Sequence, residues 1–327
     1  MSRAFPWLVL FFISLMAGAA YIMIKYLVGF IAPADLLVLQ FVPVSIVSIL
    51  LLIAFYRAAA SKILSKYWWY FLVREAMAVL GFQLALLYGE SVLPAGISAL
   101  IIGTWPVMTI FLAWTFLGES LTSKKIIGGL IAFAGAAAVI ALGAKSEASF
   151  HNLTTAQWLK SSLVLLIAPI SAAVVTVATR WYLNKGNGEE LPDSFLFSLI
   201  SRSPGGFFAL IAFLIVRPHG AISIDLHNLP TLFWILVAIL AFYNSLLGFW
   251  LWNWALQRLQ AGNVASFTYI QTIFALVIAW IFLSEPLSAI KIIGAITIVI
   301  GVLIANIEPK PIQLIWPKLK EPITPGN

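Results

Sequence analysis

Cysteine is absent from all 327 residues, histidine occurs three times, and charged side chains make up only 9%. Without cysteine there is no disulfide framework, no thiol nucleophile and no thiolate metal site. A charged fraction far below the roughly 25% of soluble domains excludes a water-solvated exterior. Hydrophobic residues, in contrast, make up 62% of the chain. They fall in long runs, and a helix crossing the ~30 Å hydrocarbon layer needs about 20 such residues. The composition describes an all-α, polytopic membrane protein with the lipid bilayer as its solvent. The formal charge of +7 does not indicate nucleic acid, because Lys and Arg are scattered through short loops. There they report orientation.

Other chemistry is also missing. Gly186 and Gly188 in NKGNGEE lack the Lys-Ser/Thr of a phosphate-binding loop, so neither nucleotide-driven transport by this chain alone nor a cofactor is expected. His219, Asp225 and His227 share one loop and read as solvated, so no metal site is expected. Asn152-Leu153-Thr154 is a glycosylation sequon only in a eukaryotic host. The start, MSRAFPWLVLFFISLMAGAA, imitates a signal peptide. Its apolar run from Trp7 to Ile24 is nevertheless long enough to span and is expected to be retained.

Breaks at charged, Pro or Gly positions divide the chain into ten expected spans, at about 7–27, 34–56, 67–89, 93–117, 123–143, 158–183, 194–216, 231–256, 262–283 and 288–306. With both termini cytoplasmic, twelve Lys and Arg fall in cytoplasmic segments and five, including Lys25 and Lys291, in outer ones. That bias is the one the positive-inside rule requires. Tyr67, Trp68, Trp69 and Tyr70 fit an interfacial aromatic belt. Residues 307–327, with five prolines, read as a disordered cytoplasmic tail.

Ala95–Val139 aligns without a gap on Ala261–Ala305, with 14 identities in 45 positions. FLGESLTSKKIIG in the first copy answers FLSEPLSAIKIIG in the second, matching Glu119 to Glu285 and Gly128 to Gly294. Five spans per copy is an odd number, so the second copy enters the membrane upside down, as in secondary transporters. The domains are then 7–143 and 158–306, with an outer connecting loop at 144–157.

The A-G…A pattern followed by LGES-LT…K-I-I-G in one half and LSEP-L…K-I-I-G in the other resembles the EamA repeat of the drug/metabolite transporter superfamily. The resemblance covers about residues 7–306. It implies two inverted five-helix repeats in a bacterial inner membrane, exporting small metabolites by alternating access. The second helix of such repeats often carries an arginine. Here the second half has Arg202 in LISRSPGG, while the first half offers LQFVPVS with Gln40.

Gly128, Ala132 and Ala136 lie four apart and read as a helix-packing face. Glu119 and Glu285 each precede a helix and are expected to cap its N-terminus; a proton relay is the alternative. Arg74 and Glu75 interrupt a span, where charge is costly. Arg74 is expected to snorkel toward the interface. The alternative is that Glu75 pairs with Arg202 or Arg74, as a gate or a substrate anchor. Glu75 is also the carboxylate on which proton coupling would rest. Neutral polar and aromatic candidates for substrate contact are Gln83, Tyr88, Trp105, Asn244, Trp250, Asn253, Trp254, Tyr269 and Gln271. Trp105-Pro106 and Gln271 occupy equivalent repeat positions, and Pro106 should bend its helix. Amides and indoles suit an amphipathic solute such as an amino acid better than a naked ion. A drug or lipid-linked-sugar carrier, or a non-transporting scaffold, is the competing reading. Catalysis is not expected, because the spans lack nucleophile–base pairs. A monomer or a homodimer fits equally well.

Overall fold

The structure, a computed structural model, describes residues 5–150, 152–184, 193–216, 228–259, 264 and 267–306. The loop histidines, Gly186, Gly188, Gly262 and the proline-rich tail lie outside these residues. All regular elements are helical: α1 (Phe5–Leu27), α2 (Pro33–Phe55), α3 (Arg57–Val92), α4 (Ala95–Leu117), α5 (Ser123–Phe150), α6 (Thr155–Tyr182), α7 (Ser194–Val216), α8 (Thr231–Leu256), α9 (Thr268–Leu283) and α10 (Ala289–Asn306). Among the described residues, eight helices are long and apolar enough to cross a membrane. The stretches at the expected ninth and tenth spans are shorter apolar helices.

Local chemistry accounts for the helix ends. Thr154 accepts from the Gln157 backbone N–H at 3.2 Å, and the Thr154 N–H donates to the Gln157 side chain at 2.9 Å. This reciprocal capping box opens α6. Asp193 accepts from the Phe195 N–H at 3.2 Å and opens α7. Pro106 coincides with a break in α4 at Gly103–Thr104. α3 starts ten residues before the expected third span and kinks at Tyr67, where φ is −122° and ψ is 17°. Trp68 and Trp69 are exposed as a belt requires, but Tyr70 turns inward and stacks on Tyr182 at 4.9 Å. The expected loop at 144–157 is also corrected in part, because α5 continues to Phe150.

α3 and α8 each contain a wide, π-helical stretch, Met77–Gln83 and Ile239–Gly248. By the repeat offset, these stretches overlap. Such segments recur at functional sites, because the extra residue per turn redirects side chains without breaking the backbone ladder.

The helices pair as α5 with α10, α2 with α7, α1 with α9 and α4 with α6. Exchanging each helix for its counterpart five places along maps this set onto itself. The α5–α10 contact is antiparallel: Gly128 lies against Gly301 and Ala305, Gly135 against Thr297, and Gly294 against Val139. A Cβ at Gly128 would meet the Gly301 carbonyl, and one at Gly301 would meet Gly128 and Ala132, so close backbone approach requires both glycines.

The motif turns share one backbone geometry. Gly118 (φ 67°) and Ser284 (φ 53°) both end a helix in the left-handed region. The following amides, of Glu119 and Glu285, donate at 3.3 Å to the Ala113 and Ala279 carbonyls. Glycine takes that conformation freely, whereas Ser284 takes it at a cost. Ser284 is exposed, so Ser284→Gly should raise stability by about 0.5–1 kcal/mol, read as a higher thermal midpoint.

Candidate functional site

A cavity of about 160 Å³ sits among α1, α2, α3, α4, α7, α8 and α9. Both π-helical stretches line it, through Ala78, Phe82 and Gln83 on one side and Asn244, Ser245 and Gly248 on the other. Aromatic walls come from Phe41, Trp105, Phe249 and Trp252, with the Trp105 and Trp252 rings 5.3 Å apart. The Trp105 indole N–H has no hydrogen-bond partner among the described residues and remains a donor available at the wall.

Behind the wall lies a buried charge cluster. Glu75, fully buried, accepts from Arg202 at 2.7 Å through one oxygen and from Arg74 at 3.3 Å through the other. Arg74 is 1% exposed at its side chain and donates to the Thr179 hydroxyl at 3.0 Å, so the expected snorkelling is corrected. Its guanidinium finds a carboxylate, a hydroxyl and aromatic faces inside the bundle, which leaves no drive toward the interface. The Arg202 side chain, 11% exposed, reaches the cavity and donates to the Ser245 carbonyl at 2.9 Å. Phe249 lies between the two cations, 3.8 Å from the Arg202 guanidinium carbon and 4.8 Å from that of Arg74. Such contacts help to hold desolvated guanidinium groups.

The cluster continues as a chain of amides. Gln83 donates to Gln40 at 3.2 Å, and Gln40 donates to the Ser245 hydroxyl at 2.8 Å. The first half therefore contributes an amide to the network in which Arg202 of the second half also takes part. Two guanidiniums share one carboxylate, so the site carries a surplus positive charge beside an aromatic chamber.

Of the substrate-contact candidates, Gln83, Trp105, Asn244 and Gln271 line this cavity, with Gln271 donating to the Tyr21 hydroxyl at 3.2 Å. Others point elsewhere. Trp250 donates to the Ser194 hydroxyl at 3.1 Å and fixes α8 to α7. Asn253 donates to Ser198 at 3.0 Å and borders a neighbouring space of about 110 Å³ that also touches Arg74 and Arg202. Trp254 packs on Phe5 and beneath Arg258. Tyr88 is half-buried away from the cavity, and the side chain of Tyr269 lies outside the described residues. Sequence reasoning missed Gln40 as a network member, along with Tyr21, Thr179, Ser245 and Phe249. Among the described residues, no group of acidic or histidine side chains is arranged to hold a metal.

Glu285 caps a helix, but not the one that follows it. Its oxygens accept from the Ala95 N–H at 2.7 Å and the Gly96 N–H at 3.2 Å, at the start of α4 in the other half. Lys291, expected at the outer solution, is buried and lies 3.1 Å from the same carboxylate. The exposed amides nearest to Glu285 in space belong to α4, and a sequence-local reading cannot see them. Glu119 is half-buried, and the residues equivalent to Ala95 and Gly96, Ala261 and Gly262, lie outside the described residues.

A helical membrane bundle enclosing a small polar-and-aromatic chamber at membrane depth has the build of a solute transporter. The chain belongs to the EamA-like transporter family, whose model matches residues 5–141 and 159–307. It is 24% identical over 293 residues to "Uncharacterized transporter YyaM" of Bacillus subtilis, covering 90% of each chain. It is 27% identical over 231 residues to "Probable terminal-alkyne amino-acid exporter" of Streptantibioticus cattleyicolor, covering 71% of this chain and 70% of that one. A solved crystal structure shares the fold with a TM-score of 0.65 at 18% identity, covering 93% of this chain and 98% of that one. The protein is thus a membrane transporter and not an enzyme.

Proposed function

We propose that the protein exports small amphipathic metabolites bearing a carboxylate, amino acids or close relatives, across a bacterial inner membrane. The observation that carries this reading is the surplus guanidinium charge beside the aromatic cavity. A substrate carboxylate supplies the missing counter-charge, Arg202 and the Trp105 indole N–H bind it, and the aromatic wall takes the apolar portion. At about 160 Å³ the cavity is smaller than the roughly 300–1,000 Å³ of drug-sized pockets, which favours a small metabolite over a drug or a lipid-linked sugar.

Transport proceeds by alternating access of two inverted five-helix halves, ten spans in all, with both termini in the cytoplasm. The self-mapping helix pairs and the antiparallel α5–α10 contact support this arrangement. Glu285 then closes the outer side. Overexpression in bacterial cells, with the medium profiled for released metabolites, tests the function. One or more amino-acid-like carboxylates should accumulate at least several-fold over an empty-vector strain. A medium indistinguishable from the control across a broad panel would sink the proposal.

A further inference from the structure

Glu90 lies in the last turn of α3, fully buried, and neither carboxylate oxygen has a hydrogen-bond partner among the described residues. The charges that act on it are Lys25 and Glu285, and both are engaged elsewhere. Lys25 donates its ammonium to the carbonyls of Glu90 and Leu93, at 2.8 and 2.7 Å, closing the end of α3. Glu285 is held by Ala95, Gly96 and Lys291. The elements packed on this end bring Tyr21 and Lys25 from α1, Asp35 from the first turn of α2, and Glu285 with Lys291 from the α9–α10 turn. α4 adds only the uncharged Ser98 hydroxyl, and Lys160 of α6 points outward. An ionised carboxylate at 0% exposure bears a desolvation cost that Lys25 and Ser98 offset only in part, whereas the neutral acid bears far less.

We infer that Glu90 is a proton-binding site that is covered when Glu285 latches onto the start of α4. In the state described, Glu90 carries the proton. When Glu285 releases Ala95 and Gly96, the solution reaches Glu90, its O–H bond breaks, and the proton passes to water. Closure requires the reverse: a proton taken from that solution, with the O–H bond formed again. Tyr21, one turn before Lys25 on α1, lines the chamber. The site thereby ties closure of the Glu285 end to uptake of one proton. The inference needs no identified substrate and does not depend on the export proposal.

Infrared spectroscopy of the purified full-length protein in lipid nanodiscs tests it. A protonated-carboxyl carbonyl band should be present at neutral pH in the wild type, vanish in Glu90→Gln and persist in Glu75→Gln. Glutamine mimics the neutral acid, so Glu90→Gln should retain the wild-type thermal midpoint at neutral pH or exceed it. Loosening the latch with Glu285→Gln should move the band's titration to lower pH by about one unit or more, because a neighbouring negative charge is removed and water then solvates the ion. Glu285→Asp, one methylene shorter, loosens the hold on the Ala95 and Gly96 amides while keeping the carboxylate charge, and should move the titration in the same direction if Glu285→Gln does not fold. No carboxyl band in the wild type, or a band unchanged by Glu90→Gln, overturns the assignment. A titration unmoved by loosening the latch overturns the coupling to closure.

Discussion

Neutralising Glu75 is expected to destabilise the protein more than neutralising either arginine. Glu75→Gln leaves two buried guanidiniums with no counter-charge, and removing one member of a buried ion pair costs about 3–5 kcal/mol. Arg202→Gln leaves Arg74 and Glu75 together at 3.3 Å, and Arg74→Gln leaves the shorter Arg202–Glu75 pair at 2.7 Å. Thermal midpoints should therefore fall in the order Glu75→Gln, then Arg202→Gln, then Arg74→Gln, with Arg74→Gln closest to wild type. Transport should follow a different order. Arg74→Gln keeps a neutral pair but loses the surplus charge, so carboxylate release should drop at least tenfold in a protein that still folds. In the double variant Glu75→Gln/Arg202→Gln the stability losses should be less than additive by about 0.5–3 kcal/mol, the range of directly interacting side chains. Additive losses would show that Glu75 and Arg202 do not act as a pair, and Arg74→Gln exporting like wild type would show that the cluster is only structural.

The second large effect concerns helix contact. Gly128→Ala places a methyl group against the Gly301 carbonyl, and no side chain there can move aside. Overpacking typically costs 1–3 kcal/mol where side chains can adjust, so a backbone collision should reach about 3 kcal/mol or more. Gly301→Ala should behave alike, because its Cβ would meet Gly128 and Ala132 backbone atoms. Gly129→Ala is the internal control: its nearest neighbours are the Val107 and Phe111 side chains at 3.0 and 3.2 Å. Thermal unfolding should separate the two classes clearly. Equal losses at positions 128 and 129 would remove the special role of the α5–α10 contact.

How far the sequence reaches depends on the range of the interaction. The membrane class and the repeat were legible because apolar runs and gapless identities are local features of the chain. Glycines at 118, 128 and 301 signal backbone demands that other residues meet poorly, which is why the motif stands out. Side-chain direction was less accessible. A helix turns about 100° per residue, so Trp250 and Asn253 face α7 while Asn244 faces the cavity, although all three looked alike as polar or aromatic breaks in one apolar run. The wide turns of α3 and α8 leave no mark in composition, because MAVLGFQ and ILAFYNSLLG are ordinary helix sequences. Long-range partners were hidden altogether. The distance from Glu285 to Ala95 spans 190 positions in sequence, and nothing in the local sequence marks Glu90 as buried.

The imbalance of two guanidiniums and one carboxylate has an electrical consequence. A charge held within the hydrocarbon feels the voltage across the membrane, and moving one elementary charge through the full field is worth about 2.3 kcal/mol per 100 mV. An empty chamber with a net cation would couple to that voltage if the helices moved around it, and so would one filled by a zwitterionic amino acid, whereas a chamber filled by a solute of net charge −1 is electrically neutral and would not. For a carrier of such solutes, the voltage-sensitive half of the cycle is the return of the empty protein. Membrane potential would then set how often the chamber is presented for loading, and would leave the loaded passage itself nearly untouched.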